Sequence, residues 1–244
     1  MLGRFLKGVW AFCSYVFVPQ WGRHQKDSGS REARKNKDKV DLYVKKEDAS
    51  VVFYQSLLEG CYHEMGHVLA ALLFFPKEER IESVSFAKKP NGGFGFNTNY
   101  HVIQWSLPSQ KEALIMCSIG GGIFQQMKMI YNDIKGHSDF CQWSVSALRD
   151  HLYKNIKCPN DGMEVDLAYL DNLYSELQQY RTDTEPLNLE EEKKKAIDLF
   201  MPYLENKKID EFCVHFANEI MANRGVCDTI IKMKDIKARI GVRC

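Results

Sequence analysis

The most hydrophobic segment of the chain, VVFYQSLLEGCYHEMGHVLAALLFF from Val51 to Phe75, carries two histidines and a glutamate in its middle. A chain that buries this segment must give His63, Glu64 and His67 partners, because unpaired buried polar groups are costly. On a helix, residues four apart share a face. His63 and His67 can therefore offer two imidazole nitrogens to one ion. Glu64 points to the side where an attacking water would sit. This is the H-E-x-x-H arrangement of two zinc ligands and a general base. Zinc lowers the pKa of water to about 7, and the carboxylate can then take its proton. The bland alternative is a pair of core histidines satisfied by the protein. The long helix, the small Gly66 inside the motif and the apolar flanks favour the metal.

A catalytic zinc needs a third protein ligand and an open position. The extended metzincin motif would require Gly at 70 and His at 73, where this chain has Ala70 and Leu73. A glutamate on a following helix is disfavoured, since no acidic residue lies between Glu82 and Glu112. Asp133, His137, Asp139 and Asp161 remain as choices.

The 244 residues suit one large domain, or one domain with extensions. A net charge of +1 gives no global case for nucleic acid. The eight cysteines are scattered without a CxxC pair, so they read as reduced core thiols in a cytoplasmic protein. Residues 1–21 begin with Arg4 and Lys7 and continue with an apolar run to Val18. That run is too short to span a bilayer. It reads as a helix on the domain's own core, a membrane-surface or partner-docking helix, or a signal core without a cleavage site. Residues 22–39 read as a basic flexible linker, able to meet anionic lipid. The folded domain is expected over 40–244.

The fold class expected is mainly α, with a small β-ribbon beside the active-site helix. The helix runs over about 49–75 and ends before Pro76. Two strands, over 81–89 and 94–105, flank Pro90-Asn91-Gly92-Gly93. Further helices are expected over 111–131, from a cap at Ser138, and over 164–180, 189–205 and 209–224, with one more after Thr229.

Several ordered blocks resemble one family. HEMGHVLAAL, the ribbon SVSFAKKPNGGFGFNTNY, CSIGGGIFQQM and KGHSDFCQWSVSAL resemble successive blocks of the FtsH-type peptidase domain (family M41), which belongs to membrane-linked ATP-dependent zinc proteases. The late helices from Ala196 to Ile236 resemble its C-terminal bundle. The resemblance covers about Val51 to Ile236, and HEMGH is its one highly specific block. It implies a zinc endopeptidase with one Zn2+ per chain, His63, His67 and Asp139 as ligands and Glu64 as base. Two departures stand out: Gly122 and Gln125 occupy the positions of the family's Arg and Glu. No P-loop motif is present. The chain is therefore expected to cleave flexible or unfolded polypeptide without ATP, or beside a separate ATPase or adaptor. Family members form rings, so an oligomer is a further possibility.

Phe94, Gly95, Phe96 and Asn97 are expected to hold an extended substrate by strand addition. Tyr100 and His101 are weak choices for an oxyanion donor. Two other readings stand beside this one. A degenerate zinc-stabilised interaction module fits the altered glycine block, but has no need of Glu64. A site-2-type intramembrane protease shares HExGH and finds a partial echo in Pro159, Asp161 and Gly162. It requires several spanning helices, against a mean hydropathy of −0.37.

Overall fold

The computed structural model describes residues 11–12, 31–75, 81–88, 94–100, 111–159, 163, 166–168, 170–171, 187–223 and 229–240. It is mainly helical with a small antiparallel sheet, as expected. Helix α1 spans Arg31–Phe74. Every residue from Gly60 to Leu72 is buried. A helix stretch that is apolar on all sides belongs at the centre of a fold, and this part of α1 is enclosed accordingly. Helix α2 (Lys111–Ile134) makes its largest interface, β3 of the sheet lies on a second side, and a late helix, Lys207–Ala222, covers a third.

α1 begins well before the expected Ala49, so residues 31–39 continue the helix instead of forming a linker. Residues 31–48 are rich in Arg, Lys, Glu and Ala, which favour helix strongly. The rest of the proposed linker and most of residues 1–21 lie outside the described residues. The described part of 1–21, Ala11–Phe12, is strand β1, where a helix was expected.

Strands β2 (Ile81–Lys88) and β3 (Phe94–Tyr100) pair antiparallel, with Phe86 opposite Phe96 and Val84 opposite Thr98. β4 (Thr229–Lys232) joins the far side of β2, giving the order β1-β3-β2-β4. Phe96 packs edge-on against Phe86 and Phe216, with ring centroids 4.8 and 5.9 Å apart. β3 runs in step with α1. Phe96 lies over Gly60, where any β-carbon would collide with its ring, and Thr98 reaches Glu64. Two residues of strand cover about 6.7 Å and four of helix about 6 Å, so the two elements keep step.

Helix α3 (Val145–Asn155) is capped by Ser144, whose hydroxyl accepts from the Ala147 amide, and not by the expected Ser138. Ser138 instead precedes a short 3-10 turn at Phe140–Gln142. Helix α4 (Leu189–Phe200) packs on α2 through the Phe124–Phe200 pair at 5.6 Å. Helix α5 (Lys207–Ala222) buries Ile209, Phe212, Cys213, Phe216, Ala217 and Ile220, the spacing of one apolar face. Helix α6 (Met233–Ile240) ends the described chain. Lys128 of α2 is fully buried; it donates to the Leu204 carbonyl at 2.8 Å and pairs with Asp210, which also accepts from the Tyr62 hydroxyl. This network ties α1, α2 and α5 together. Among the described residues one helix, Glu112–Ile134, has the length and hydropathy to cross a membrane, and 83% of its apolar window is buried inside the fold.

Candidate metal centre

His63 and His67 project from one face of α1, as their spacing requires, and both are fully enclosed. Their Nε2 atoms are 3.2 Å apart. The third member of the cluster is Asp166, also buried. Its Oδ2 lies 3.2 Å from His63 Nε2 and 3.7 Å from His67 Nε2. This buried group could hold a metal ion. Tetrahedral zinc with bonds of about 2.0–2.1 Å places its ligand atoms about 3.3 Å apart. The three observed separations fit that triangle.

The other ring nitrogens are engaged outward. Nδ1 of His67 donates to the Cys117 carbonyl at 2.5 Å, and Nδ1 of His63 to Gln125 Oε1 at 3.2 Å. These oxygens can only accept, so each neutral ring carries its proton on Nδ1 and turns Nε2 toward the cluster; without a metal, a second proton on His63 Nε2 can donate to Asp166. Such outer hydrogen bonds orient metal-binding imidazoles. Gln125 thus supports His63 from the position where the resemblance had lost its Glu.

α2 supplies these acceptors because Cys117, Gly121 and Gln125 recur every four residues along its inner face. The glycine run is explained by how closely the helices approach. A β-carbon on Gly66 would strike the Gly120 carbonyl. One on Gly121 would strike His67 Nε2 and come within 2.8 Å of His63 Nε2. Gly121 therefore leaves open the space the three ligand atoms face.

Glu64 is buried beside the cluster and accepts from the Thr98 hydroxyl at 2.5 Å. Without a metal, burial depresses His63's basicity. The Asp166 hydrogen bond and charge, with Glu64 and Gln125, outweigh it and hold the pKa above the ordinary histidine value. Burial dominates at His67, pushing it down to about 4; Asp166 opposes this and His63 adds to it.

Asp139, expected as the third ligand, is not in the cluster. It is exposed and accepts from the Ser138 hydroxyl at 2.6 Å. The reason is helix length: α2 runs on from Gln125 to Ile134, and nine residues of helix carry the chain about 13 Å from the site. Asp133 and His137 are exposed near that same end. Asp161 and His101 lie outside the described residues, as does the side chain of Tyr100.

Asp166 went unnoticed in the sequence. Its signal is the one that exposed HEMGH: an ionisable group at a core position. Met163 and Leu170, three before and four after it, are both buried, and the 166–168 segment is helical.

Phe94, Gly95, Phe96 and Asn97, expected to hold substrate, lie on β3, but Phe96 is buried in the core. Phe96 supports the strand from beneath and presents no side chain to a ligand. β3 is also not a bare edge, since β1 pairs with it at Thr98 and Asn99. Cys61, Cys117 and Cys213 are buried cysteines outside any disulfide, and burial pushes Cys61 and Cys213 well above the ordinary thiol range. No protein-family model, curated protein or solved structure matches this chain.

Proposed function

We propose that this chain is a zinc-dependent endopeptidase, with His63, His67 and Asp166 holding the metal and Glu64 acting as general base. The observation that carries this reading is the buried triangle of two Nε2 atoms and one carboxylate oxygen with a second carboxylate beside it. A structural zinc site needs a closed set of ligands and no adjacent base. The FtsH-type resemblance supports the same class, with the third ligand moved to Asp166.

Zinc bound there would supply a Lewis acid and a water of pKa about 7. Asp166 adds a negative charge that partly offsets the ion. Glu64 takes the proton from the attacking water and delivers it to the leaving amine. Thr98 holds the Glu64 carboxylate through its second oxygen, fixing the orientation of the base. Substrates are flexible or unfolded polypeptides, which can present an extended backbone to β3. A separate ATPase or adaptor would extend the range to folded proteins.

Glu64→Gln is the test. It removes the base and keeps the size of the side chain. One zinc per chain with hydrolysis of an unfolded protein lost by at least a hundredfold is the expected result. Retained hydrolysis would mean that Glu64 is not the base.

A further inference from the structure

We propose that the chain's own strand β1, Ala11–Phe12, is the resident occupant of the strand edge at which a peptide substrate adds, so that substrates bind by displacing it. The inference rests on the endopeptidase reading and concerns how that site is entered. β3 has two sides. One is taken by β2 over its whole length. On the other, Ala11 pairs with Asn99 and Phe12 with Thr98, antiparallel. Thr98 is the residue whose hydroxyl holds Glu64. The segment therefore lies along the backbone that positions the base, where an extended peptide would have to sit to reach it.

The sequence suits the role. Val9, Trp10, Phe12, Tyr15, Val16, Phe17 and Val18 are β-branched or aromatic, the types favoured in strands. Among the described residues the pairing covers two positions of β3, Thr98 and Asn99. A peptide adding along 95–99 needs the same β3 amide and carbonyl groups at those two positions, so it competes with β1 for them. A peptide too short or too folded to compete would be refused.

The test uses the full chain and does not depend on turnover. Ala11→Pro with Phe12→Pro removes both amide donors of β1. Backbone hydrogen exchange is read at Thr98 and Asn99, beside zinc content. Binding of a synthetic peptide spanning residues 7–15 is measured on the same samples. The β3 amide that faces β1 should exchange at least tenfold faster in the variant, and the peptide should bind at least tenfold tighter. Unchanged exchange and binding at wild-type zinc content would overturn the proposal. Should the variant not fold, the wild type decides: Ala11 and Phe12 amides that both exchange at unprotected rates would overturn it. Tighter peptide binding by a variant that, like the wild type, hydrolyses no unfolded protein would leave this proposal standing and count against the catalytic one.

Discussion

Asp166 Oδ2 sits 3.2 Å from His63 Nε2, although 103 residues separate them in the chain. Replacing this carboxylate removes one of three protein ligands and the negative charge among them. Asp166→Ala should lower zinc affinity by at least about a hundredfold, since even outer partners of metal ligands are worth 10–100-fold. Asp139→Ala should leave zinc at one per chain, because that side chain is exposed. Elemental mass spectrometry of the two variants beside the wild type separates them. The opposite pattern would return the third ligand to Asp139.

Gly121→Ala should abolish metal binding without touching a ligand. A methyl there meets both Nε2 atoms. Glycine to alanine inside a helix ordinarily gains about 1 kcal/mol, so a drop in Tm would come from the clash. Gly136→Ala is the control: its β-carbon meets nothing closer than 3.7 Å, and zinc should be unchanged.

Thr98→Val keeps the shape of the side chain and removes the hydroxyl that Glu64 accepts from. The expected loss is about tenfold in kcat, matching about 1.4 kcal/mol for a buried hydrogen bond to a charged group. Zinc content should not change. Thr98→Ser restores the donor and should recover most of the rate. Equal rates for Val and Ser would show that the hydroxyl does not position the base.

Acid should release the metal, starting at His63. A ligand must present an unprotonated Nε2. His63 has its folded pKa raised, so its proton competes with the metal from a higher pH than an ordinary histidine's would. His67, near 4, stays neutral long after. Zinc occupancy should be full at neutral pH and fall as pH drops through the histidine range. A zinc titration at stepped pH checks this. In metal-free protein, His67 contributes stability above its unfolded pKa of about 6.5, and that contribution is lost as pH falls toward about 4. His63 has the opposite sign and offsets part of the loss.

Much of this site was legible before any coordinates. The four-residue spacing of His63 and His67 fixed them on one helical face, and the apolar surroundings required a partner for them. The mainly helical class with a β2–β3 ribbon followed from periodicity and from the turn residues between the strands. Asp166 was missed: the apolar Met163 and Leu170 around it mark a core position, but nothing local tells which core carboxylate the returning chain brings to the histidines. The block at Asp139 attracted the assignment by order and spacing alone, and spacing says nothing of how far α2 runs on. β4 was also missed. Thr229–Lys232 is too short to show alternation, and its strand character comes from pairing with β2. The glycines of α2 were read as a motif; their reason, the approach of two backbones, required both helices.

The matched step between β3 and α1 makes the site sensitive to chain length in one direction. Side chains of a strand alternate, so inserting or deleting a single residue between Phe96 and Thr98 exchanges the inner and outer faces beyond that point. An asparagine would then face Glu64 in place of the hydroxyl, while every metal ligand stayed where it is. A length change of one residue at that point would thus leave the proposed metal ligands in place and take the hydroxyl away from Glu64. The two histidines of the cluster and the hydroxyl that Glu64 accepts from stand on different elements, α1 and β3, and a frame error in the strand would separate them.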